Sequence, residues 1–314
     1  MKPKALNNGN SAEAPSAPEK KKAVTAILIF LTTCLLFVLL QCFSLARWQE
    51  DEVLSYVTYV AFLFSPLMGC VLARLITKEG FRDGILWPRF LGNGKAYLLA
   101  LLIPAFMGFL GAILSALFLG EGLTLKPEGG IRVAILTLLL CFGQVYYVAF
   151  ITAGEELGWR ALLYDKLEIL LGTNGALILG GIIWGLWHFP VLYYLGINFG
   201  KDYPGFPYLG IFLMCVATTF LGAPLQLVRK MSGSVIPACL FHGVVDGVSS
   251  GFLTLFLTQE VVSNSTLQVG IYGFVLPSVI VGIPAWISLL RLDKRKERTP
   301  AATTPGQTNE NARS

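Results

Sequence analysis

Long apolar runs, separated by short polar or basic connections, set the pattern of this chain. Eight runs are long and apolar enough to cross a bilayer, at about 23–46, 53–76, 97–119, 131–154, 174–192, 208–228, 235–257 and 267–291, since a core of about 30 Å needs roughly 20 apolar residues in a helix. None of the eight shows the polar stripe at helical spacing that a soluble helical core would require. The pattern predicts an all-α, polytopic transmembrane helical bundle of about eight spans. The first run is longer than a signal-peptide core, and no small-residue cleavage site follows Arg47, so it is read as a retained helix.

The flanks are different. Residues 1–22 are rich in Asn, Ala, Ser, Pro and Glu, and residues 293–314 resemble them. Neither can bury a core, so both are expected to be disordered tails, the second basic, around one membrane domain at 23–292. No internal repeat of the kind seen in inverted-repeat transporters is evident.

Charge supplies orientation. Only 14% of the 314 residues are charged, against roughly a quarter in a soluble domain. Lys20, Lys21 and Lys22 precede the first run, and Arg74, Lys78, Arg82, Arg89 and Lys95 lie between the second and third. Arg229 and Lys230 follow the sixth, and Arg291, Lys294, Arg295, Lys296 and Arg298 follow the eighth. Positive residues favour the cytoplasmic side. Eight spans place all four groups there, with both termini inside, while the opposite loops are weakly charged or acidic, as at Gln49-Glu50-Asp51-Glu52. The net charge of +5 thus needs no nucleic acid to explain it. The expected location is a cell membrane, and a prokaryotic one. Six scattered cysteines with no CxxC pair read as small buried side chains.

Ionisable groups within apolar runs are costly and mark function by default. They concentrate in three places: Gly154-Glu155-Glu156-Leu157-Gly158-Trp159-Arg160, Trp184-Gly185-Leu186-Trp187-His188-Phe189-Pro190, and Phe241-His242-Gly243-Val244-Val245-Asp246-Gly247. Both histidines of the chain fall here. Glu156 and Arg160 are four apart and can pair along one helix face. Glu155 points about 100° away, which leaves it free for chemistry. His242 and Asp246 also share a face. Each segment carries a GxxxG spacing (Gly154/Gly158, Gly181/Gly185, Gly243/Gly247), which lets helix backbones approach. That approach is expected to gather Glu155, His188, His242 and Asp246 around one cavity, within roughly 10 Å of each other. By residue count His188 falls about 20 Å deep and His242 about 10 Å, whereas Glu155 sits near the cytoplasmic end of its run.

The Glu155-Glu156-xxx-Arg160 motif, the aromatic-xxx-His from Trp184 to His188, and His242-xxx-Asp246 together resemble the CPBP family, which comprises CAAX prenyl endopeptidase type II, Abi and bacteriocin-processing proteins. The match covers about 140–260 by motif and is closest at Glu155–Leu162 (EELGWRAL). Eukaryotic CAAX-processing members carry Asn where this chain has Asp246, and prokaryotic relatives carry Asp or Asn. The position therefore fits the wider family without implying a CAAX substrate.

The resemblance implies an intramembrane endopeptidase acting on a membrane-associated, prenylated or precursor peptide or protein. Glu155 would be the general base, with His188 holding the water. His242 and Asp246 would stabilise the oxyanion, Asp246 donating only if protonated, and Glu156 and Arg160 would support the site. No cofactor is required in this reading. Zinc is the alternative, with Glu155, His188 and His242 as candidate ligands, although there is no HExxH. Two rival readings stand beside it: a non-catalytic immunity or scaffolding protein of the same fold, and a proton-coupled transporter using His, Glu and Asp as a relay.

Overall fold

In hydrocarbon the backbone must satisfy its own hydrogen bonds, and among the described residues the regular structure that does so is all helical. A computed structural model describes residues 15–47, 51–81, 85–127 and 130–298. The helices are α1 (Ala17–Arg47), α2 (Glu52–Leu63), α3 (Ser65–Ile76), α4 (Gly94–Phe118), α5 (Ile131–Gly143) and α6 (Val145–Gly158), then α7 (Tyr164–Trp187), α8 (Tyr208–Ser232), α9 (Ile236–Phe256), α10 (Gln259–Asn264), α11 (Thr266–Gly270) and α12 (Leu276–Arg298). Wider π-helical turns join α6 to α7 (Trp159–Leu163), follow α7 (Val191–Leu195) and join α11 to α12 (Ile271–Val275).

Among the described residues six helical stretches are long and apolar enough to cross a membrane, or seven if the bent pair α2–α3 counts as one, against the eight runs expected. The chain is an integral, multi-pass membrane protein. Two local features account for the difference in number. The run at 131–154 breaks at Gln144, leaving a 13-residue α5 that is too short by itself. The run at 174–192 shares one helical stretch with α6, Val145–Trp187, whose two legs meet at a break at Gly172.

That stretch is not straight. At Gly172 the backbone adopts φ 68 and ψ 177, a conformation essentially confined to glycine. A Cβ placed on Gly180 would lie 2.9 Å from the ring of Tyr164. Along a straight helix these two positions would be about 24 Å apart. The chain therefore folds back at Gly172, so that residues 155 and 188 stand at nearly the same level on either side of the turn. This corrects the depth expected from counting, which put Glu155 near one end and His188 deep.

The tails also differ from expectation. Residues 17–22 belong to α1 and residues 293–298 to α12. Lysine and arginine are good helix formers, so a helix need not stop where its apolar run stops. The rest of the expected tails, 1–14 and 299–314, lies outside the described residues, as do Gln49, Glu50 and Arg82.

Two helix pairs position the site. Gln144 Nε2 donates to the Gly247 carbonyl at 3.1 Å, and Thr152 Oγ1 donates to that of Cys239 at 3.1 Å. Numbers rise along α6 as they fall along α9, so these helices are antiparallel. Thr218 Oγ1 likewise donates to the Gly181 carbonyl at 2.8 Å and ties α8 to α7.

Candidate functional site

Glu155 and Glu156 occupy the last turn of α6, immediately before the π segment that contains Arg160. π turns inside α-helices occur frequently at functional sites. Arg74 of α3 supports this one by donating to the Ala161 carbonyl at 2.8 Å. The two carboxylates diverge as their 100° offset requires. Glu156 faces the core, fully buried, and Oε1 accepts from Arg160 Nη1 at 3.0 Å, the expected four-residue pair. The same oxygen lies 2.8 Å from His242 Nδ1. An ion-paired carboxylate only accepts, so Nδ1 of His242 carries the hydrogen and Nε2 is turned toward Asp246, 3.5 Å from Oδ2. Glu156 is thus more than a partner for Arg160, because it also orients His242.

Glu155 sits among indoles. Its Oε2 accepts from Trp184 Nε1 at 2.9 Å and from Trp159 Nε1 at 3.4 Å. Trp184 also organises the neighbouring groups. Its carbonyl accepts from His188 Nδ1 at 2.8 Å. A carbonyl cannot donate, so neutral His188 presents Nε2 as an acceptor. The Trp184 ring stands 5.4 Å from His242 and 5.9 Å from His188 by centroids, and the Arg160 guanidinium lies over it at 4.1 Å. Trp187 anchors the next turn by donating to Ser65 Oγ at 3.0 Å and stacking on Phe62 at 4.1 Å. Pro190 follows, with no N–H to continue an α-helix, and the segment closes at Gly196 in a left-handed conformation.

Glu155, His188, His242 and Asp246 all line one cavity of about 500 Å³, together with Tyr59, Trp184 and Trp187. Glu156 and Arg160 are not in its wall. Asp246 is the most open of the four, with a half-exposed side chain. The rest of the wall is mixed, with apolar Met214, Leu221, Leu253, Val269 and Phe274 beside polar Asn198, Thr218, Ser249, Ser250 and Thr266.

Reasoning from spacing missed the two indoles on Glu155. The signals were present: Trp159 lies four residues after Glu155, and Trp184 is the aromatic of the aromatic-xxx-His spacing. The glycine expectation is corrected in part. Gly243 meets Ala149 of α6, joining two site helices. Gly154 and Gly158 instead admit Phe64 and Pro66, and Gly181 and Gly185 lie against Thr219 and Cys215 of α8. Small residues permit close approach without choosing the partner.

Zinc would need several donors grouped about one point. Among the described residues no three His, Cys, Asp or Glu side chains are grouped so as to hold a metal ion. Glu155 Oε2, His242 Nδ1 and His188 Nδ1 are engaged by protein partners, which leaves Glu155 Oε1 and His188 Nε2, while His242 Nε2 faces Asp246.

Residues 134–248, which hold all of these polar groups, match the type II CAAX prenyl endopeptidase Rce1-like family. The chain carries an Rce1-like domain. The family read from the three motifs and the family matched over this segment agree. Among curated relatives, CAAX prenyl protease 2 of Methanococcus maripaludis is 28% identical over 195 residues, 58% of this chain and 63% of that protein. Lysostaphin resistance protein A of Staphylococcus haemolyticus is 24% identical over 268 residues, 82% of this chain and 66% of that protein. The aligned part thus spans just under two thirds of either relative. Both alignments are long enough to take in helices outside the Rce1-like domain.

Proposed function

We propose that this protein is an intramembrane endopeptidase that cleaves a membrane-associated peptide or protein by carboxylate-activated water. The observation that carries the reading is Glu155, held by two indole donors on the wall of a cavity that His188, His242 and Asp246 also line. In the reaction, water adds to the scissile carbonyl carbon while Glu155 accepts its proton. His188 Nε2 accepts a second hydrogen bond from that water and aligns it. Charge develops on the carbonyl oxygen, and His242, in its imidazolium form with Nδ1 donating to Glu156, donates to it from Nε2. Glu155 then returns the proton to the departing amine nitrogen as the C–N bond breaks. Proton transfer by a positioned group and stabilisation of a developing oxyanion in a dry site are the two contributions such geometry can make. No step is routed through a metal.

The substrate class follows from the wall. A wall that mixes backbone-binding polar side chains with Met214, Leu221, Leu253 and Phe274 suits a peptide that carries an apolar side chain or lipid. The relative named CAAX prenyl protease 2 supports a lipidated substrate. The relative named for lysostaphin resistance keeps a second reading beside it, a membrane resistance or immunity protein of the same fold.

A cleavage assay of purified protein on a library of plain and prenylated peptides, with and without chelator, tests the proposal. Turnover that survives chelation and is lost in Glu155→Gln is expected. Full activity in Glu155→Gln would overturn it, and chelator-sensitive activity restored by zinc would replace the metal-free step. The distribution of Lys and Arg supports an orientation with both termini cytoplasmic, and the relatives from Methanococcus maripaludis and Staphylococcus haemolyticus support a prokaryotic cell membrane. Reporters fused after Lys126 and after Arg291 should read opposite sides.

A further inference from the structure

Behind the cavity wall, on the core side of α6, a second polar stripe runs away from the site. Its positions are Glu156, Arg160, Tyr164 and Glu168, four residues apart, so they form one row along the helical stretch. α8 runs beside it with Gly222, Gln226 and Lys230 at the same spacing. The two rows are in contact. A Cβ on Gly222 would lie 2.5 Å from the Tyr164 hydroxyl, and Lys230 Nζ is 2.5 Å from Glu168 Oε1. Gln226 falls between these two contacts.

Along this stripe several buried polar atoms have no protein partner: Glu156 Oε2, Arg160 Nε and Nη2, Tyr164 Oη and Gln226 Oε1. Glu156 and Arg160 are fully buried, and Tyr164 and Gln226 are 1% and 2% exposed. Buried groups of this kind are almost always hydrogen-bonded, to water when not to protein. A buried water commonly makes about two to four hydrogen bonds, and the stripe offers both donors and acceptors in sequence. Its outer end is ionic and partly open, where Lys230 also pairs with Asp293 at 3.0 Å and Arg229 pairs with Asp165. Its inner end is the carboxylate that orients His242.

We propose that Glu156, Arg160, Tyr164 and Gln226 hold a file of ordered water that links the core side of the site to the ionic cluster beside the Gly172 turn. The file is separate from the substrate cavity, whose wall includes none of the four. It keeps the Glu156–Arg160 pair hydrated within the membrane, and with it the orientation of His242. It does not depend on the chain being a peptidase.

X-ray hydroxyl-radical labelling of the full-length protein in lipid nanodiscs tests this, because radicals formed from bound water oxidise side chains that bulk solvent does not reach. Tyr164 should be oxidised several-fold faster than Phe241 and Phe30, which are both 0% exposed, belong to the apolar core and do not line the cavity. Gln226→Leu, apolar and of similar size, should suppress labelling of Tyr164 and leave Trp184 on the cavity wall labelled. Tyr164 oxidised no faster than Phe241 in the wild-type protein would overturn the proposal, whether or not the variant folds. A peptide that occupies the cavity should protect Trp184 and leave Tyr164 unchanged. Equal protection of both would show that Tyr164 is reached from the cavity and that no separate file exists.

Discussion

The cavity side and the core side of α6 begin from neighbouring residues and arrive at opposite electrostatics. Glu155, on the cavity side, is met by neutral indole N–H groups. Glu156, on the core side, is met by a guanidinium and an imidazole. A single residue step of 100° separates a carboxylate that can exchange protons with a substrate from one committed to holding structure. An acidic pair in a membrane helix is therefore not one functional unit, and its members are best judged by the face each occupies.

The contrast breaks most visibly at Glu155. Glu155→Gln keeps size and removes the proton acceptor, so turnover should fall by about 10²–10⁴-fold with substrate binding retained. Single-turnover kinetics beside a binding isotherm would check this. Glu156→Gln should lose less in the chemical step and more in folded yield. Equal losses in turnover at the two positions would erase the distinction between the faces.

Arg160→Ala attacks the core side alone. Leaving a buried carboxylate without its partner costs about 3–5 kcal/mol, so thermal stability and membrane yield should drop sharply. Unchanged stability with abolished turnover would move Arg160 to the cavity side.

Gly172→Ala tests the turn that sets both faces at the level of His188. A side chain at φ 68 and ψ 177 costs about 1–3 kcal/mol, so a lower melting temperature is expected, with cleavage by the remaining folded protein largely preserved.

Trp184 tests the cavity side at its donor. Trp184→Phe keeps a ring beside His242 and Arg160 and deletes the 2.9 Å donor to Glu155. A hydrogen bond to a charged group contributes about 1.5–3 kcal/mol, which sets an upper bound of roughly ten- to a hundredfold on lost turnover. The loss should appear in kcat rather than KM, because Glu155 is misplaced while the cavity keeps its shape. A loss confined to KM would make Trp184 a substrate contact instead.

Much of this was readable before any coordinates. The apolar runs located the helices, because nothing else can satisfy a backbone in hydrocarbon. The expense of burying charge singled out Glu155, His188, His242 and Asp246, and those four line the cavity. Four-residue spacing was enough for Glu156 and Arg160, which are neighbours on any α-helix.

The sequence by itself thus determined what is local: which segments are helical, which polar groups lie within them, and which pairs share a face one turn apart. Tertiary structure decided what spans many turns. Trp184 reaches Glu155 across 29 residues only because the chain reverses at Gly172, and a glycine in a long helical run does not announce in advance that it will turn. His242 reaches Glu156 across 86 residues only because α9 docks antiparallel on α6. Gly181 and Gly185 permitted a close neighbour, and packing made that neighbour α8 rather than a site helix. Periodicity describes a helix in its own frame. Which face meets which partner depends on the fit of whole surfaces, and that information is distributed over the chain rather than carried by any one motif.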